Sequence, residues 1–326
     1  MIEAFAPAGT HVLVRRFTTP EGAPKSVWSH RDTGALVLLG SLPSQWPETE
    51  RVEALLPWLN DLGTAFPPQA HGFALRRYHR SLVGSYTVTA HRQRFFLADY
   101  HPRVRPARPA DGLALARAMA VFHRLGALQL ARHALSLPAE SLRDLLDHWL
   151  LPGLQAARGG VPADVRRALD AALLDLDHLR PERLEAIDAL PRHLIHGDWQ
   201  AKNLLLREDG AARGVVQVLD SESCRLYPRL FDVYFLLSWD DACSGWQRPE
   251  QALARLRHYL ECAGGLSPME RQLLPNLLMI KALSNAAWSA EAQPPWRRRR
   301  RARRAVLRNS LRMAAAMRSL ETNSLP

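Results

Sequence analysis

The sequence predicts an α+β fold, with a small β-rich N-terminal lobe followed by a larger helical lobe. Three observations predict it. Up to about residue 100, short strand-forming runs alternate with turn signals, and only one stretch has helical spacing. Residues 101–111 (HPRVRPARPAD) are rich in proline and arginine and lack any period, which marks a linker. From residue 112 to 326, apolar residues recur at helical spacing, interrupted by one β-like island. The expected division is therefore 1–100, a small β-rich lobe; 101–111, a linker; and 112–326, a larger helical lobe.

The elements follow in order. His11–Thr18 (HVLVRRFT) reads as a strand, and Thr19–Ser26 (TPEGAPKS) reads as a turn or loop because of its two prolines and glycine. Ser26–Arg31 and Ala35–Leu39 form a hairpin around Asp32, Thr33 and Gly34. Glu48–Leu62 places Val52, Leu55, Leu56, Leu59 and Leu62 on one helical face, with Pro57 expected to kink or split it. Ser85–Ala90 and Arg94–Asp99 are two further strands. Past the linker, Gly112–Leu125, Leu142–Ala157, Val165–Leu179, Ala252–Cys262, Pro268–Trp288 and Arg303–Leu320 read as amphipathic helices. Leu204–Leu206 and Val215–Leu219 flank a polar turn and form the island, a hairpin.

Composition excludes several classes. With 47% hydrophobic residues in 326, the chain can bury a core and is not globally disordered. No apolar run approaches the ~20 residues that cross a bilayer, so no membrane insertion is expected. The N-terminal residues lack the basic, apolar and cleavage segments of a secretory signal. Cys224, Cys243 and Cys262 are odd in number and widely spaced, against a disulfide framework or zinc ribbon and in favour of a reducing, cytoplasmic setting. Net charge is +11, but ten arginines and one glutamate from Trp296 onward carry nine of those charges. The Arg297–Arg304 block admits three readings: a solvated or salt-bridged helix, a site for an anionic ligand, or a surface for nucleic acid or membrane. Trp296 is its one aromatic, so base stacking has no support there.

The chemistry concentrates in Leu194–Leu206, LIHGDWQAKNLLL. His196, Gly197 and Asp198 are followed after four residues by Asn203, the spacing of the kinase catalytic loop H-R-D-x-x-x-x-N with glycine for arginine. Phosphoryl transfer needs a carboxylate that orients a hydroxyl and takes its proton, and an oxygen ligand for Mg²⁺ nearby. Asp198 and Asn203 have those chemistries. Asp220 follows the apolar run Val215–Leu219, where a kinase carries its principal metal ligand, and the hairpin returns it toward Asn203.

These residues, with VLDSESCRLYPRLFDVYFLL, resemble the aminoglycoside phosphotransferase/choline kinase family. Its pattern is H-G-D-x-x-x-x-N, an apolar strand ending in a D-F/W-E-like element, and P-R-x-x-D, here Pro228 to Asp232. The resemblance is strong over Leu194–Trp239 and weaker over most of the chain, including Ala116–Gly126. It implies a two-lobed protein-kinase-like fold and an Mg²⁺-dependent transfer of phosphate from ATP or GTP to a small-molecule hydroxyl. It further implies Asp198 as base, Asn203 and Asp220 as Mg²⁺ ligands, His196 as a fixer of the loop, and Asp232 as a support through backbone or histidine contacts.

The sequence departs from the pattern in the N-terminal lobe. A kinase carries a lysine on the third strand, paired to a helix glutamate; Ala35–Gly40 has no basic residue. Glu53 (or Glu50) stands where that glutamate belongs. Lys25, beside Ser26 in the nucleotide loop, is the candidate substitute, ahead of Arg15 and Arg16, and Lys202 is a further candidate near the donor phosphates. Asp220 is followed by Ser221 and Glu222, where an aromatic is commoner at the first position. Two outcomes stand: an active small-molecule kinase, or a pseudokinase that binds a ligand or partner. Trp239, Asp240 and Asp241 are candidates for holding a cationic acceptor, whereas the arginine block suits an anionic one. Acceptor and oligomeric state stay open.

Overall fold

The computed structural model describes residues 1–18, 24–42, 49–91, 93–135, 137, 141–158, 161–179, 181–208, 213–238, 249–291 and 297–318. The strands and helices of the N-terminal stretch are β1 (His11–Thr18), β2 (Pro24–His30), β3 (Leu36–Leu42), α1 (Thr49–Ala65), α2 (Pro68–His71), β4 (Phe73–Leu75), β5 (Tyr78–His79), β6 (Thr87–Ala90), β7 (Gln93–Asp99) and β8 (Val104–Pro106). There follow α3 (Gly112–Arg132), α4 (Leu142–Leu145), a π-helical turn, α5 (Leu151–Ala157), α6 (Ala163–Asp177) and α7 (Pro181–Asp188). The remainder is β9 (Arg192–Ile195), β10 (Leu204–Arg207), β11 (Val216–Val218), β12 (Arg225–Pro228), α8 (Leu230–Leu237), α9 (Pro249–Ala263), α10 (Pro268–Glu291) and α11 (Arg297–Arg318).

The chain divides into two compact units. The first comprises Met1–Ala107, Leu125–Pro138 and Ala201–Cys224. Its main sheet runs β1-β2-β3-β7-β5, with β6 also on β7, and its pairs are antiparallel. One face buries Val37, Leu39 and Leu97 with Ile2 and Phe5 from the N-terminal turn. The other face carries Val27, Leu38 and Phe96, also buried. A second sheet, β4-β11-β10-β8, joins the β10–β11 hairpin to two strands from earlier in the chain, with β4 parallel to β11. The 101–111 segment, read from composition as a linker, thus contains a strand: β8 pairs with β10. Its prolines are compatible with an edge position, where a missing N–H leaves no ladder partner unsatisfied.

Helix α1 buries Val52, Leu55, Leu56, Leu59 and Leu62 at no more than 1% exposure. It runs unbroken through Pro57, so the helix is not split there, because packing of that apolar face outweighs the local loss. Asn60 locks it to β5: its amide donates to the Tyr78 carbonyl and its carbonyl accepts from the Tyr78 N–H, both at 2.8 Å.

The second unit comprises Arg108–Arg124, Ala139–Gln200 and Arg225–Pro326. Helix α10 is at its centre, against α5, α8 and α11, and buries Leu274, Leu277, Leu278, Ile280 and Leu283 almost completely. Gly153 lets α5 approach α10 closely, since a Cβ there would stand 3.1 Å from that of Ala287. A two-stranded ladder, β9 with β12, pairs Ile195 with Arg225 and carries the chain into the residues around Asp198. Helix α8 is buried at all eight positions. No helix among the described residues is long and apolar enough to cross a membrane.

Candidate active site

In the second unit, β9 ends at Ile195 and the chain turns through His196, Gly197 and Asp198. Gly197 has φ +79°, a left-handed conformation that glycine adopts without a Cβ clash. The turn is held by Asp232 in the first turn of α8. Its Oδ2 accepts from the His196 N–H at 2.7 Å and its Oδ1 from the Gly197 N–H at 2.8 Å. His123 of α3 adds a third bond, Nε2 lying 3.1 Å from Asp232 Oδ2, while its Nδ1 lies 2.9 Å from the Tyr259 hydroxyl. A carboxylate only accepts, so the Nε2 nitrogen carries the proton. Burial alone would raise the Asp232 pKa; the His123 bond, the His123 and His196 charges and the His196 N–H outweigh it and hold it below its ordinary value.

The His196 ring then fixes Asp198, its Nδ1 accepting from the Asp198 N–H at 3.2 Å. Trp199 is fully buried, edge-on to His196 and tilted against Phe122 at 5.8 Å. The Asp198 side chain itself is half-buried. Lys281 on α10 closes the arrangement: its ammonium donates to the Gly197 carbonyl at 3.1 Å and lies 4.8 Å from the Phe231 and Phe235 rings. His123 and Lys281 were not singled out from the sequence. His123 lies within ARAMAVFHRLG, the helix carrying part of the resemblance, whereas Lys281 has no motif around it.

The first unit holds Asn203 and Asp220. Asn203 ends a 3₁₀ turn, is buried, and its carbonyl accepts from the Leu219 N–H at 2.8 Å, so the hairpin sets Asp220 beside it. Asp220 itself adopts φ +50°, an uncommon conformation for a residue other than glycine, and starts a 3₁₀ turn. Lys202 is exposed.

Lys25 corrects the sequence reading, since it lies on strand β2, which starts before the expected Ser26, rather than in a loop; residues 19–23 of that segment fall outside the described residues. The strand begins at Pro24 because ladder pairing to β1 and β3 overrides turn composition: Lys25 is opposite Phe17 on one side and Gly40 on the other. The Lys25 ammonium reaches Asp220, Nζ to Oδ1 3.6 Å, with side chains 16% and 38% exposed. Strand β3 carries no basic residue, and Gly40 is its position facing Lys25. A Cβ at Gly40 would meet Phe96 Cζ at 2.6 Å, so the Phe96 ring fills that space.

Ser26 Oγ accepts from Trp28 Nε1 at 2.8 Å. Glu53 is occupied within the fold: its carboxylate accepts from the Tyr86 N–H at 2.8 Å, the Thr87 N–H at 2.7 Å and the Thr87 hydroxyl at 2.6 Å, tying α1 to β6. Glu222, two residues past Asp220, is buried and accepts from the Tyr78 hydroxyl at 2.5 Å. Burial and the Asp220 charge raise its pKa, against Lys25 and the Tyr78 bond. Trp239, Asp240 and Asp241 lie outside the described residues, as do the side chains of Arg297–Arg304, whose backbone opens α11.

The sequence model of the phosphotransferase enzyme family matches residues 23–271. Solved structures share the fold. A microcompartment-associated aminopropanol kinase is 16% identical with a TM-score of 0.73, over 99% of this chain and 98% of that one. An amicoumacin kinase in complex with AMP-PNP and Ca²⁺ is 14% identical with a TM-score of 0.63, over 99% and 93%. An ethanolamine kinase of Plasmodium vivax is 10% identical with a TM-score of 0.55, over 97% and 84%. A search among proteins of curated function returned no match. The two units are those of a kinase-like fold, one built on a strand-rich sheet and one mainly helical.

Proposed function

The chain belongs to the phosphotransferase enzyme family, and on that premise we propose that it is a working kinase: it moves the γ-phosphoryl group of ATP or GTP to the hydroxyl of a small molecule. The observation that carries this reading is the Lys25–Asp220 ion pair at 3.6 Å. Without a basic residue on β3, the donor phosphates would lack their usual ammonium. Adjacent strands are ~4.8 Å apart, within reach of a lysine side chain, and the residue opposite Lys25 on β3 is glycine. Lys25 on β2 therefore supplies the ammonium from one strand away, beside the acid that serves the metal.

Asn203 and Asp220 would hold Mg²⁺. The donor set fits: both offer hard oxygen atoms, and two protein ligands leave positions for water and phosphate oxygens, as Mg²⁺ prefers. Among the described residues no cluster of three or more acidic, histidine or cysteine side chains forms an all-protein metal cage. When bound, the ion offsets charge on the donor phosphates. Asp198 orients the acceptor hydroxyl and takes its proton as the oxygen bonds to the γ-phosphorus. The bond to the bridging oxygen breaks, and the nucleoside diphosphate leaves with that electron pair.

Calorimetry with ATP and GTP, with and without Mg²⁺, tests the donor site on wild type, Lys25→Ala and Asp220→Ala. Expected is Mg²⁺-dependent binding, at a Kd between ~1 µM and 1 mM. Lys25→Ala should weaken it by about 10- to 100-fold, the value of a charge-assisted hydrogen bond. Equal affinity in wild type and Lys25→Ala would remove Lys25 from the site. No binding of either nucleotide by wild type would favour the pseudokinase, which the bare third strand motivates. An acceptor screen begins with amino alcohols, following the names of two structural neighbours.

A further inference from the structure

One buried charge stands outside this scheme. Lys281 sits in α10 among Leu277, Leu278, Ile280 and Leu283, and is 8% exposed. Burying an ammonium is costly, and core packing alone would be served by methionine or leucine. The contacts of Lys281 point to a different purpose. The carbonyl it binds belongs to the peptide whose N–H is that of Asp198. This peptide is gripped at both ends, its N–H by the His196 ring and its C=O by Lys281. The two peptides before it donate their N–H groups to Asp232. Three successive peptide units leading into Asp198 are thus fixed by three side chains.

The electrostatics agree with the geometry. Burial lowers the Lys281 pKa to about 8, and Arg225 on β12 pushes the same way. The charges of Asp198 on the turn and Asp232 on α8 oppose that fall. The Phe231 and Phe235 rings add cation–π attraction at 4.8 Å each.

We propose that Lys281 is a positioning residue for Asp198: its ammonium fixes the Gly197–Asp198 peptide, so that the base stays aimed. This rests on Asp198 being the base. Lys281 acts through the turn, by its bond to the Gly197 carbonyl.

Two measurements test it. The first does not need turnover. The Lys281 ¹³Cε resonance, assigned by its loss in Lys281→Met, is followed against pH. A midpoint near 8 is expected in wild type. Asp198→Asn should lower it by about one unit, because a carboxylate that favours the ammonium is gone. An unmoved midpoint overturns the proposal. The second uses Mg·ATP with water as acceptor. Lys281→Met should lower kcat by about 10- to 100-fold, the scale of an angstrom-sized misplacement, with KM for ATP within about twofold. Lys281→Arg should recover much of kcat and remove the alkaline fall expected of wild type near pH 8. Full kcat in Lys281→Met overturns the proposal. If wild type binds neither ATP nor GTP with Mg²⁺, the kinase reading fails, and the resonance measurement alone decides the coupling.

Discussion

The turn around Asp198 and the cluster around Lys25 hold their charged groups in different ways. The turn is fixed through its backbone: Asp232, His196 and Lys281 bind three successive peptide units, and Asp232 and His196 are completely buried. The cluster depends on a side-chain ion pair whose acidic member is 38% exposed. Buried charge-assisted hydrogen bonds to backbone set a position tightly. A half-exposed pair sets a charge but lets it exchange partners, which would suit the proposed donor-site lysine in turning from Asp220 to a phosphate. A base has to be aimed before the substrate arrives, whereas a donor-site lysine can be drawn into place by it.

Four substitutions would break or sharpen this contrast. Asp198→Asn should lower turnover of Mg·ATP by about 10²- to 10⁴-fold and leave nucleotide affinity unchanged by calorimetry. An equal loss of affinity would mean that the turn is also part of the donor site. Asp232→Ala should cost about 3–5 kcal/mol in urea unfolding, because it orphans two buried N–H groups and a buried histidine. Since the Asp232 pKa is held below its ordinary 3.8, its stabilisation is complete above about pH 4 and fades as pH falls through the lower folded value. Wild type should therefore lose its advantage over Asp232→Ala on acidification; a constant gap would contradict the assigned hydrogen bonds. Gly40→Ala should destabilise by about 1–3 kcal/mol, since its Cβ would overlap Phe96, and Phe96→Leu in the same chain should recover part of that loss. Glu53→Gln should cost about 1.5 kcal/mol through weaker bonds to Tyr86 and Thr87, with nucleotide affinity unchanged. A drop in affinity would return Glu53 to the donor site.

The contrast also explains what the sequence made legible. His196, Gly197, Asp198 and Asn203 are read together because a loop needs its chemistry at fixed short spacing. The β10–β11 hairpin is local, so its return to Asn203 was readable from one turn. Lys25 was placed in a loop because proline and glycine around it dominate the local signal, and only pairing to Phe17 and Gly40 reveals the strand. Glu53 has the right acid on the right helix, yet its partners are 33 and 34 residues away, on a segment with no distinguishing pattern. Helix α8 carries no helical period in its sequence, because it is buried on every side. Lys281 escaped for the same reason that it is informative: nothing in the apolar run around it signals that the chain 84 residues earlier offers it a carbonyl.

The ring of Phe96 over Gly40 has a consequence for redesign of the protein. A lysine cannot be installed on the third strand at position 40 by one substitution, because the ring already occupies the ground on which its first carbon would stand. The installation takes at least two coordinated changes, one at 40 and one at 96, and the intermediate carrying only the first is the overpacked one. With Phe96 in place, steric occupancy in the sheet makes a third-strand lysine at this position uphill in stability.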